Sequence, residues 1–249
     1  MVRAMVLRVD GTNCDEETMH AFKLAGSEVS LVHMNEIIKG KTSFDDFQII
    51  AVPGGFAHGD DVAAGKILAN LLRYRLSKDL TKFIEEGKLV IGICNGFQAI
   101  VKAGLLPAFE GFGKQEATLA SNDSGYFIDR WVRLKLASDN KCVFTKGVKD
   151  EIYIPVNHGE GKFVASPEIL RKLEDSGQVV FRYMDNPNGS MNDIAGICNT
   201  EGNVFGLMPH PEKFVSRYMH PYWTREKDLP EEGDGLAIFR NAVEYAKKF

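Results

Sequence analysis

The stretch KLVIGICNGFQAIVKAG, residues 88–104, joins a short apolar run to a longer segment through two closely spaced glycines. The apolar run KLVIGI (88–93) has the length and composition of a buried strand, and NGFQAIVKAG (95–104) has the periodicity of a helix. Short apolar strands that alternate with helices are typical of parallel α/β folds. The stretch therefore indicates an α/β fold and places a single cysteine, Cys94, at the turn between strand and helix.

The chain before this stretch repeats the same alternation of strands and helices. The predicted strands are AMVLRV (4–9), VSLVHM (29–34) and QIIAVP (48–53). The predicted helices are DEETMHAFKLAG (15–26) and one long helix from about Val62 to Glu86. Acidic residues open the first of these helices and Gly26 ends it, as expected for helix boundaries. The first half of the chain thus predicts a parallel sheet covered by helices.

The second half of the chain favours antiparallel pairing. EATLAS (116–121) and FIDRWVRLKLA (127–137) flank a turn rich in Asn, Asp, Ser and Gly, which predicts a hairpin. IAGICN (194–199) and VFGLMP (204–209) predict a second hairpin, and residues 235–249 predict a helix that packs back on the sheet. Because no internal repeat or linker is visible, we expect residues 1–249 to form a single domain. Its central sheet should be mixed, mostly parallel and flanked by helices.

Composition excludes several classes of function. The 30 basic and 34 acidic side chains give a formal net charge of −4, so nothing indicates a nucleic-acid partner. The four cysteines form no CxxC pair, which argues against a zinc site or a disulfide framework and favours a reducing compartment. The chain shows neither a signal-peptide pattern nor an apolar run of about 18 residues. We expect a cytoplasmic protein with no metal site and no membrane partner.

Cys94 has two interpretations. Gly92, Cys94 and Gly96 fit the G-x-nucleophile-x-G pattern of a strained elbow between a strand and a helix. Such an elbow projects its central side chain over the carboxyl edge of the sheet, and the helix that follows aims backbone N–H groups at the sulfur, which favours the thiolate. The alternative is that Cys94 is a small buried residue and that the glycines serve only the turn.

Two loops of the sequence can supply an oxyanion hole. The backbone N–H of Asn95 follows the cysteine directly and is one candidate donor. The loop PGGFAHGDD (53–61) follows another predicted strand, and its paired glycines let the backbone approach a substrate closely. We expect the second donor to be an N–H group near Gly55 and Phe56.

The segment LMPHPE (207–212) offers the base that a cysteine nucleophile requires. His210 and Glu212 lie two residues apart on a backbone stiffened by two prolines, so the histidine can move a proton while the carboxylate orients it. An HxE pair by itself is also found in metal sites and surface turns. Together with the elbow and the Gly-Gly loop it favours a Cys–His–Glu triad. His158 and Glu160 have the same spacing, so His158 is a competing base.

These residues resemble the class I (triad) glutamine amidotransferases, which have a flavodoxin-like fold. The resemblance rests on G-x-C-x-G-x-Q at Gly92–Gln98, on PGG at 53–55 and on HPE at 210–212. Within that family the chain is similar to the glutaminase components of phosphoribosylformylglycinamidine synthase, in stretches that cover most of the chain. These stretches are GTNCDEE (11–17), GGFAHGD (54–60), GICNGFQ (92–98), AGLLP (103–107), HGEGKF (158–163) and NPNGSMNDIAGICNTEGNVFGLMPHPE (186–212).

The resemblance implies a function and a set of roles. Glutamine would be hydrolysed through a thioester on Cys94, with His210 moving the proton and Glu212 orienting it. Gly55 and Asn95 would hold the oxyanion, and Gln98 would help to position L-glutamine. The ammonia would pass to a larger synthase subunit that holds ATP and Mg²⁺, usually with a small bridging subunit. The chain itself would bind no cofactor, and it contains no G-x-x-x-x-G-K-[ST] motif.

Three alternatives and several residues stay open at this stage. The chain could serve a different synthetase, act as a stand-alone cysteine hydrolase, or be a non-catalytic interaction module. The loop around Cys14 either contacts the synthase subunit or shapes the channel mouth, or it is a plain helix cap built on Asn13 or Asp15. Arg130 and Trp131 either line the glutamine pocket or dock the partner. His58, which stands where the family more often has tyrosine, and the segment 216–235 have no predicted role.

Overall fold

The computed structural model describes all 249 residues as an α/β fold with a nine-stranded sheet and a separate two-stranded sheet. The strands are β1 (Arg3–Arg8), β2 (Glu28–His33), β3 (Ile49–Val52), β4 (Leu89–Ile93), β5 (Ala117–Ser121), β6 (Ile128–Leu136), β7 (Glu151–His158), β8 (Glu160–Ala165), β9 (Val179–Tyr183), β10 (Ile194–Cys198) and β11 (Val204–Leu207). The helices are α1 (Asp15–Leu24), α2 (Met34–Ile38), α3 (Lys66–Arg75), α4 (Ser77–Glu85), α5 (Asn95–Lys102), α6 (Pro167–Asp175) and α7 (Leu236–Ala246). No helix combines the length and the apolar character that crossing a bilayer requires.

The large sheet has the order β2-β1-β3-β4-β11-β10-β9-β6-β7. The four pairings from β2 to β11 are parallel, and the four pairings from β11 to β7 are antiparallel. The predicted mixed sheet flanked by helices is confirmed, although it is less parallel than expected. Strands β1, β3, β4 and β11 are almost wholly buried, as parallel strands covered on both faces must be.

Most predicted elements of the first half are present, but the long helix is not. The predicted helix from Val62 to Glu86 is instead α3 and α4, which meet at the buried Leu76 (φ −123°). The first residues of the predicted helix, 62–65, form a loop instead. Gly65, at φ 68°, packs so closely on α5 that an added Cβ would lie 2.9 Å from the amide nitrogen of Ala99. A left-handed residue in such close contact suits glycine and cannot lie inside a helix.

The first predicted hairpin is wrong, and the second is confirmed. β5 pairs with β8 in the small sheet, whereas β6 pairs with β7 and β9 in the large one. The chain does turn at residues 122–126. The alternation of apolar and polar side chains predicts a strand, but it does not specify which other strand that strand pairs with. β10 and β11 do pair with each other in antiparallel fashion. Sequence patterns also did not single out β7, β8, α6 and β9.

The predicted C-terminal helix is present as α7 and packs against the parallel half of the molecule. The ring of Phe239 on α7 meets that of Phe22 on α1 edge to face, with ring centroids 4.9 Å apart. Both rings are fully buried and belong to a continuous apolar core of 71 residues. This packing fixes the helices against the sheet whose carboxyl edge carries the candidate site.

Candidate active site

Three adjacent parallel strands end together and deliver the predicted residues to one edge. Val52 at the end of β3 lies opposite Gly92 of β4, and Ile93 lies opposite Leu207 of β11. The loop 53–61, Cys94 and the segment 208–212 each follow one of these strand ends. Parallel sheets bind ligands at this carboxyl edge, so the strand order alone brings the three predicted stretches together.

Cys94 occupies the elbow that its flanking glycines predict. Its backbone is at φ 51° and ψ −107°, a conformation that is strained for any residue with a side chain. A Cβ at residue 96 would collide with the carbonyl oxygen of Val52, and one at residue 92 would lie 2.8 Å from the carbonyl oxygen of Gly96. Both glycines are therefore required by packing. The thiol donates to the carbonyl oxygen of Asn157 at 3.4 Å.

His210 and Glu212 form a buried pair beside the elbow. The Nδ1 atom of His210 lies 2.6 Å from Oε1 of Glu212, and the two residues are 1% and 0% exposed. A Cβ built on Gly54 would lie 2.8 Å from Cε1 of His210 and 3.4 Å from Cβ of Cys94, so the ring and the cysteine border the same residue. The fold thus brings together residues 116 positions apart in the chain.

The electrostatics of the site make the His210 imidazole a strong proton acceptor. Burial lowers the pKa of His210, but the Glu212 carboxylate and the two neighbouring cysteine thiols outweigh burial and hold the pKa well above its ordinary value. The Nε2 atom of His210 has no hydrogen-bond partner in the protein. The ring is therefore oriented by Glu212 on one side and free on the other to exchange a proton with a thiol.

Two backbone amides near Cys94 are free to bind an oxyanion. The N–H groups of Gly55 and Asn95 have no acceptor in the protein. The amide of Phe56, in contrast, donates to the carbonyl oxygen of Gly11 at 2.9 Å. The amide of Phe56 is therefore not available to an oxyanion, and the amides of Gly55 and Asn95 stay the candidate donors.

Gln98 is occupied by contacts within the protein. Its Oε1 accepts from Nδ2 of Asn95 at 2.9 Å, and its Nε2 donates to the carbonyl oxygen of Glu160. The side chain of Asn95 also donates to Asp60 at 2.8 Å and accepts from the amide of Ala57 at 3.0 Å. The predicted direct contact of Gln98 with substrate is not what this geometry favours. Gln98 instead joins α5 to Glu160 of β8, and Asn95 joins α5 to the loop 53–65.

Lys102, a buried charged residue that the sequence analysis did not single out, also connects α5 to the loop 53–65. The Nζ atom of Lys102 donates to the carbonyl oxygen of Ala64 at 2.6 Å and lies 3.5 Å from Oε2 of Glu160. Glu160 also accepts from the amide of Ala64 at 3.2 Å. Burial lowers the pKa of Lys102 and raises that of Asp60. Of this cluster, the sequence pattern singles out only Glu160, through its spacing from His158.

His158, the competing base, lies close to the site in a different environment. Its Nδ1 atom lies 3.0 Å from Oδ1 of Asn122, and no carboxylate orients it. Burial, together with the positive charge of His210, lowers the pKa of His158 to about 4. A histidine that resists protonation in this way is a poor proton carrier near neutral pH. The geometry favours His210 as the base.

Cys14 lies beside the site, next to Gly54. Helix α1 begins after Cys14 with no side-chain cap, so the predicted cap on Asn13 or Asp15 is wrong. The buried Sγ atom of Cys14 is 3.3 Å from a Cβ built on Gly54, on the same side as His210.

Of the other residues left open, Arg130 and Trp131 lie on β6. The ring of Trp131 packs against those of Tyr153, Phe214 and His220 at centroid distances of 5.1, 5.2 and 5.6 Å, and His220 belongs to the segment 216–235. A nitrogen of the Arg130 guanidinium group lies 3.5 Å from the carbonyl oxygen of Asp185. Cys142 and Cys198 are buried, as expected for apolar filler residues. The contacts of Trp131 and Arg130 place both side chains within the surface that β6 forms.

Comparison with known proteins gives one consistent answer. Residues 1–246 match the CobB/CobQ-like glutamine amidotransferase domain. The phosphoribosylformylglycinamidine synthase subunit PurQ of Dehalococcoides mccartyi is 49% identical over 254 residues, which cover 99% of this chain and 98% of that protein. The PurQ subunit of Methanococcus maripaludis strain S2 is 41% identical over 269 residues, with 99% and 98% coverage.

Solved structures agree with these relatives. A chain in the structure of PurLQS from Thermotoga maritima superposes with a TM-score of 0.78 at 34% identity and 98% coverage of both chains. A glutamine amidotransferase from the same organism, at 18% identity and a TM-score of 0.56, shares the fold. The chain therefore belongs to the PurQ family of phosphoribosylformylglycinamidine synthase subunits, within the CobB/CobQ-like class I glutamine amidotransferases.

Proposed function

We propose that this chain is the glutaminase subunit of phosphoribosylformylglycinamidine synthase and supplies ammonia for purine biosynthesis. The single observation that carries the proposal is the strained elbow of Cys94 beside a buried His210–Glu212 pair. The synthase names of relatives up to 49% identical support the assignment to this reaction. They also argue against the other synthetases and the stand-alone hydrolase that the sequence left open.

The first half of the reaction forms a thioester. Cys94 Sγ attacks the side-chain amide carbon of glutamine while His210 takes the thiol proton. The amide oxygen gains a negative charge, which the N–H groups of Gly55 and Asn95 stabilise. When the C–N bond breaks, His210 returns the proton to the leaving nitrogen, so ammonia departs and a γ-glutamyl thioester stays on Cys94.

The second half releases glutamate. Water attacks the thioester carbon as His210 removes its proton, and the same two amides hold the second oxyanion. The C–S bond then breaks, the thiol regains a proton from His210, and glutamate leaves. Glu212 stays ionised throughout, since its task is to orient the imidazole and to stabilise its charged form.

The synthase chemistry belongs to other chains in this proposal. The complex from Thermotoga maritima is described as PurLQS, which supports a large synthase subunit and a small bridging subunit as partners. ATP and Mg²⁺ would be held by the synthase subunit, and this chain would bind no cofactor. Four free cysteines support a cytoplasmic location, and the continuous core of 71 residues supports one domain over residues 1–249.

The Cys94→Ala variant tests the proposal in the assembled complex. Without a nucleophile, glutamine-dependent synthesis should fall at least about 10³-fold, while synthesis driven by ammonia should be unchanged because that site lies on another chain. A Cys142→Ala variant, which changes a buried thiol away from the site, is the matched control. Retention of glutamine-dependent synthesis by Cys94→Ala would refute the mechanism.

A further inference from the structure

One face of helix α5 carries a buried polar stripe that the triad does not use. Asn95, Gln98 and Lys102 are 2%, 3% and 6% exposed, and their spacing of three and four residues places them on the same side of the helix. A lysine ammonium group is costly to bury unless it is paired, and a buried ion pair adds little net stability. Packing alone therefore does not explain the lysine at the end of this stripe.

Lys102 and Glu160 hold one residue of the loop 53–65 by both of its backbone groups. The Nζ atom of Lys102 donates to the carbonyl oxygen of Ala64 at 2.6 Å, and Oε2 of Glu160 accepts from the amide of Ala64 at 3.2 Å. The ammonium nitrogen and the carboxylate oxygen are 3.5 Å apart, so each compensates the charge of the other. Without the lysine, the carboxylate and the carbonyl oxygen would both lose this donor.

The loop that this pair holds carries one of the two candidate oxyanion donors. The amide of Gly55 lies near the start of the loop, and the other candidate is the amide of Asn95 at the start of α5. The side chain of Asn95 accepts from the amide of Ala57, two residues beyond Gly55, at 3.0 Å. The loop is thus attached to α5 towards both ends, at Ala57 by Asn95 and at Ala64 by Lys102.

The backbone between these two attachments is strained. His58, Asp60 and Val62 have φ angles of 55°, 54° and 73°, which residues with a side chain rarely adopt. A strained backbone persists only while the surrounding structure enforces it, so release of one end lets the segment relax. Relaxation of the loop would displace the amide of Gly55. An oxyanion donor acts at hydrogen-bond distance, so a small displacement is enough to weaken it.

We propose that Lys102, paired with Glu160, is a positioning residue for the oxyanion hole. The pair anchors the far end of the loop 53–65, and the anchored loop keeps the amide of Gly55 in register with that of Asn95. Neither side chain of the pair bonds to the thiol or to the imidazole of the site. The effect on catalysis rests on the proposed function, whereas the anchoring of the loop does not.

Lys102→Met, which keeps a side chain of similar length but removes its charge and donors, tests the proposal in the assembled complex. We expect kcat for glutamine hydrolysis to fall at least about tenfold and KM to change less than about twofold, because loss of an oxyanion donor costs about 10²- to 10³-fold in kcat. Alkylation of Cys94 by iodoacetamide forms no oxyanion, so its rate should be unchanged. Lys88→Met is the matched control, since it breaks a 3.0 Å ion pair with Glu86 at the opposite end of β4.

Hydrogen exchange of the full chain reports on the loop without relying on activity. The amides of Ala57, Ala64 and Gly65 are hydrogen-bonded to side chains of this network. In Lys102→Met they should exchange at least about tenfold faster than in the wild type, and in Lys88→Met at the rate of the wild type. Circular dichroism verifies that each variant is folded.

A second variant keeps the test independent of the first. Glu160→Gln removes only the charge of the partner and should lower kcat in the same way. The double variant with Lys102→Met should be no slower than the slower single variant, because the pair acts as one unit. Losses that multiply in the double variant would contradict the pairing.

The remaining outcomes separate this proposal from the glutaminase assignment. Unchanged kcat in both single variants would overturn the positioning role, whether or not the loop exchanges faster. Equal slowing of hydrolysis and of alkylation would overturn it too, since the whole site would then be distorted. Failure of the glutaminase assignment would appear instead as no glutamate release by the wild-type complex, with the predicted change in hydrogen exchange intact.

Discussion

A strained backbone at Cys94 and a short contact at His210 hold the two side chains of the site in place. Cys94 is kept at φ 51° by the close packing of its neighbouring glycines, and His210 is kept in place by one short contact with Glu212. A strained backbone of this kind costs about 1 to 3 kcal/mol and persists only where the surrounding structure enforces it. The strained backbone and the contact with Glu212 fix the position of the Cys94 thiol relative to the His210 imidazole.

His158 allows a prediction about acid stability. Its pKa is about 4 in the folded protein and about 6.5 in the unfolded chain, so the unfolded state binds more protons between these values. Stability should therefore fall as pH drops from 6.5 towards 4, with about 2 kcal/mol lost through this residue between pH 7 and pH 5. His158→Asn keeps a group able to bond Asn122 but does not titrate.

Urea unfolding at pH 7 and pH 5 measures this effect. The wild type should lose about 2 kcal/mol more between the two pH values than His158→Asn does. His20→Asn, which changes an exposed histidine, is the control and should lose as much stability between the two pH values as the wild type. An equal loss in wild type and His158→Asn would contradict the low pKa of this histidine.

At the scale of elements, the loop 53–65 connects the site to helix α5. Three non-glycine residues in it have positive φ angles, His58 at 55°, Asp60 at 54° and Val62 at 73°. Asp60 accepts hydrogen bonds from the amide of Gly65 and from Asn95, and these bonds hold the loop against the helix. The loop is shaped by these contacts and not by local preference, because a β-branched residue rarely adopts such a backbone.

Val62 offers a test of that strain. It is 91% exposed, so its side chain contributes little packing, yet its backbone is left-handed. Val62→Gly should raise the free energy of unfolding by about 0.5 to 1 kcal/mol, because relief of about 1 to 2 kcal/mol of strain exceeds the entropy cost of glycine. Thermal and urea unfolding measure this change. Val62→Ala is the control and should gain less, and a less stable glycine variant would refute the argument.

The elements show which parts of the fold were predictable from sequence. Strands β1 to β4 and helix α5 were predictable because local apolar runs and glycine punctuation specify them. The loop before Gly65 was not, since it depends on the contact of Gly65 with α5, which is distant in sequence. The break at Leu76 was not either, because no glycine or proline marks it in the sequence. The pairing of β5 with β8 was also missed. An alternation of apolar and polar residues predicts a strand but does not specify which strand it pairs with.

At the scale of the whole molecule, the site is assembled from segments separated by much of the chain. Cys94, His210 and Glu212 and the free amides of Gly55 and Asn95 were predictable from local motifs, because each follows a strand end. The occupied amide of Phe56, the enclosed side chain of Gln98 and the approach of Cys14 to His210 were not. Each of these depends on which loops meet above the sheet, which the strand order decides.

The proposal of one domain predicts the way the chain unfolds. A continuous core of 71 residues extends through both the parallel and the antiparallel halves, so the two halves should unfold together. Far-UV circular dichroism and the fluorescence of the core-packed Trp131 should give coincident urea transitions in a Trp223→Phe background. Two separate transitions would divide the chain into two domains.

The central claim is that Cys94 is the nucleophile that attacks glutamine. The most direct measurement is covalent labelling with a diazo-ketone analogue of glutamine, mapped by peptide mass spectrometry on the isolated chain and on the assembled complex. We predict one adduct, on Cys94, that excess glutamine blocks, and no adduct on the neighbouring Cys14. An adduct on another residue, or no adduct on Cys94 in either preparation, would contradict the account.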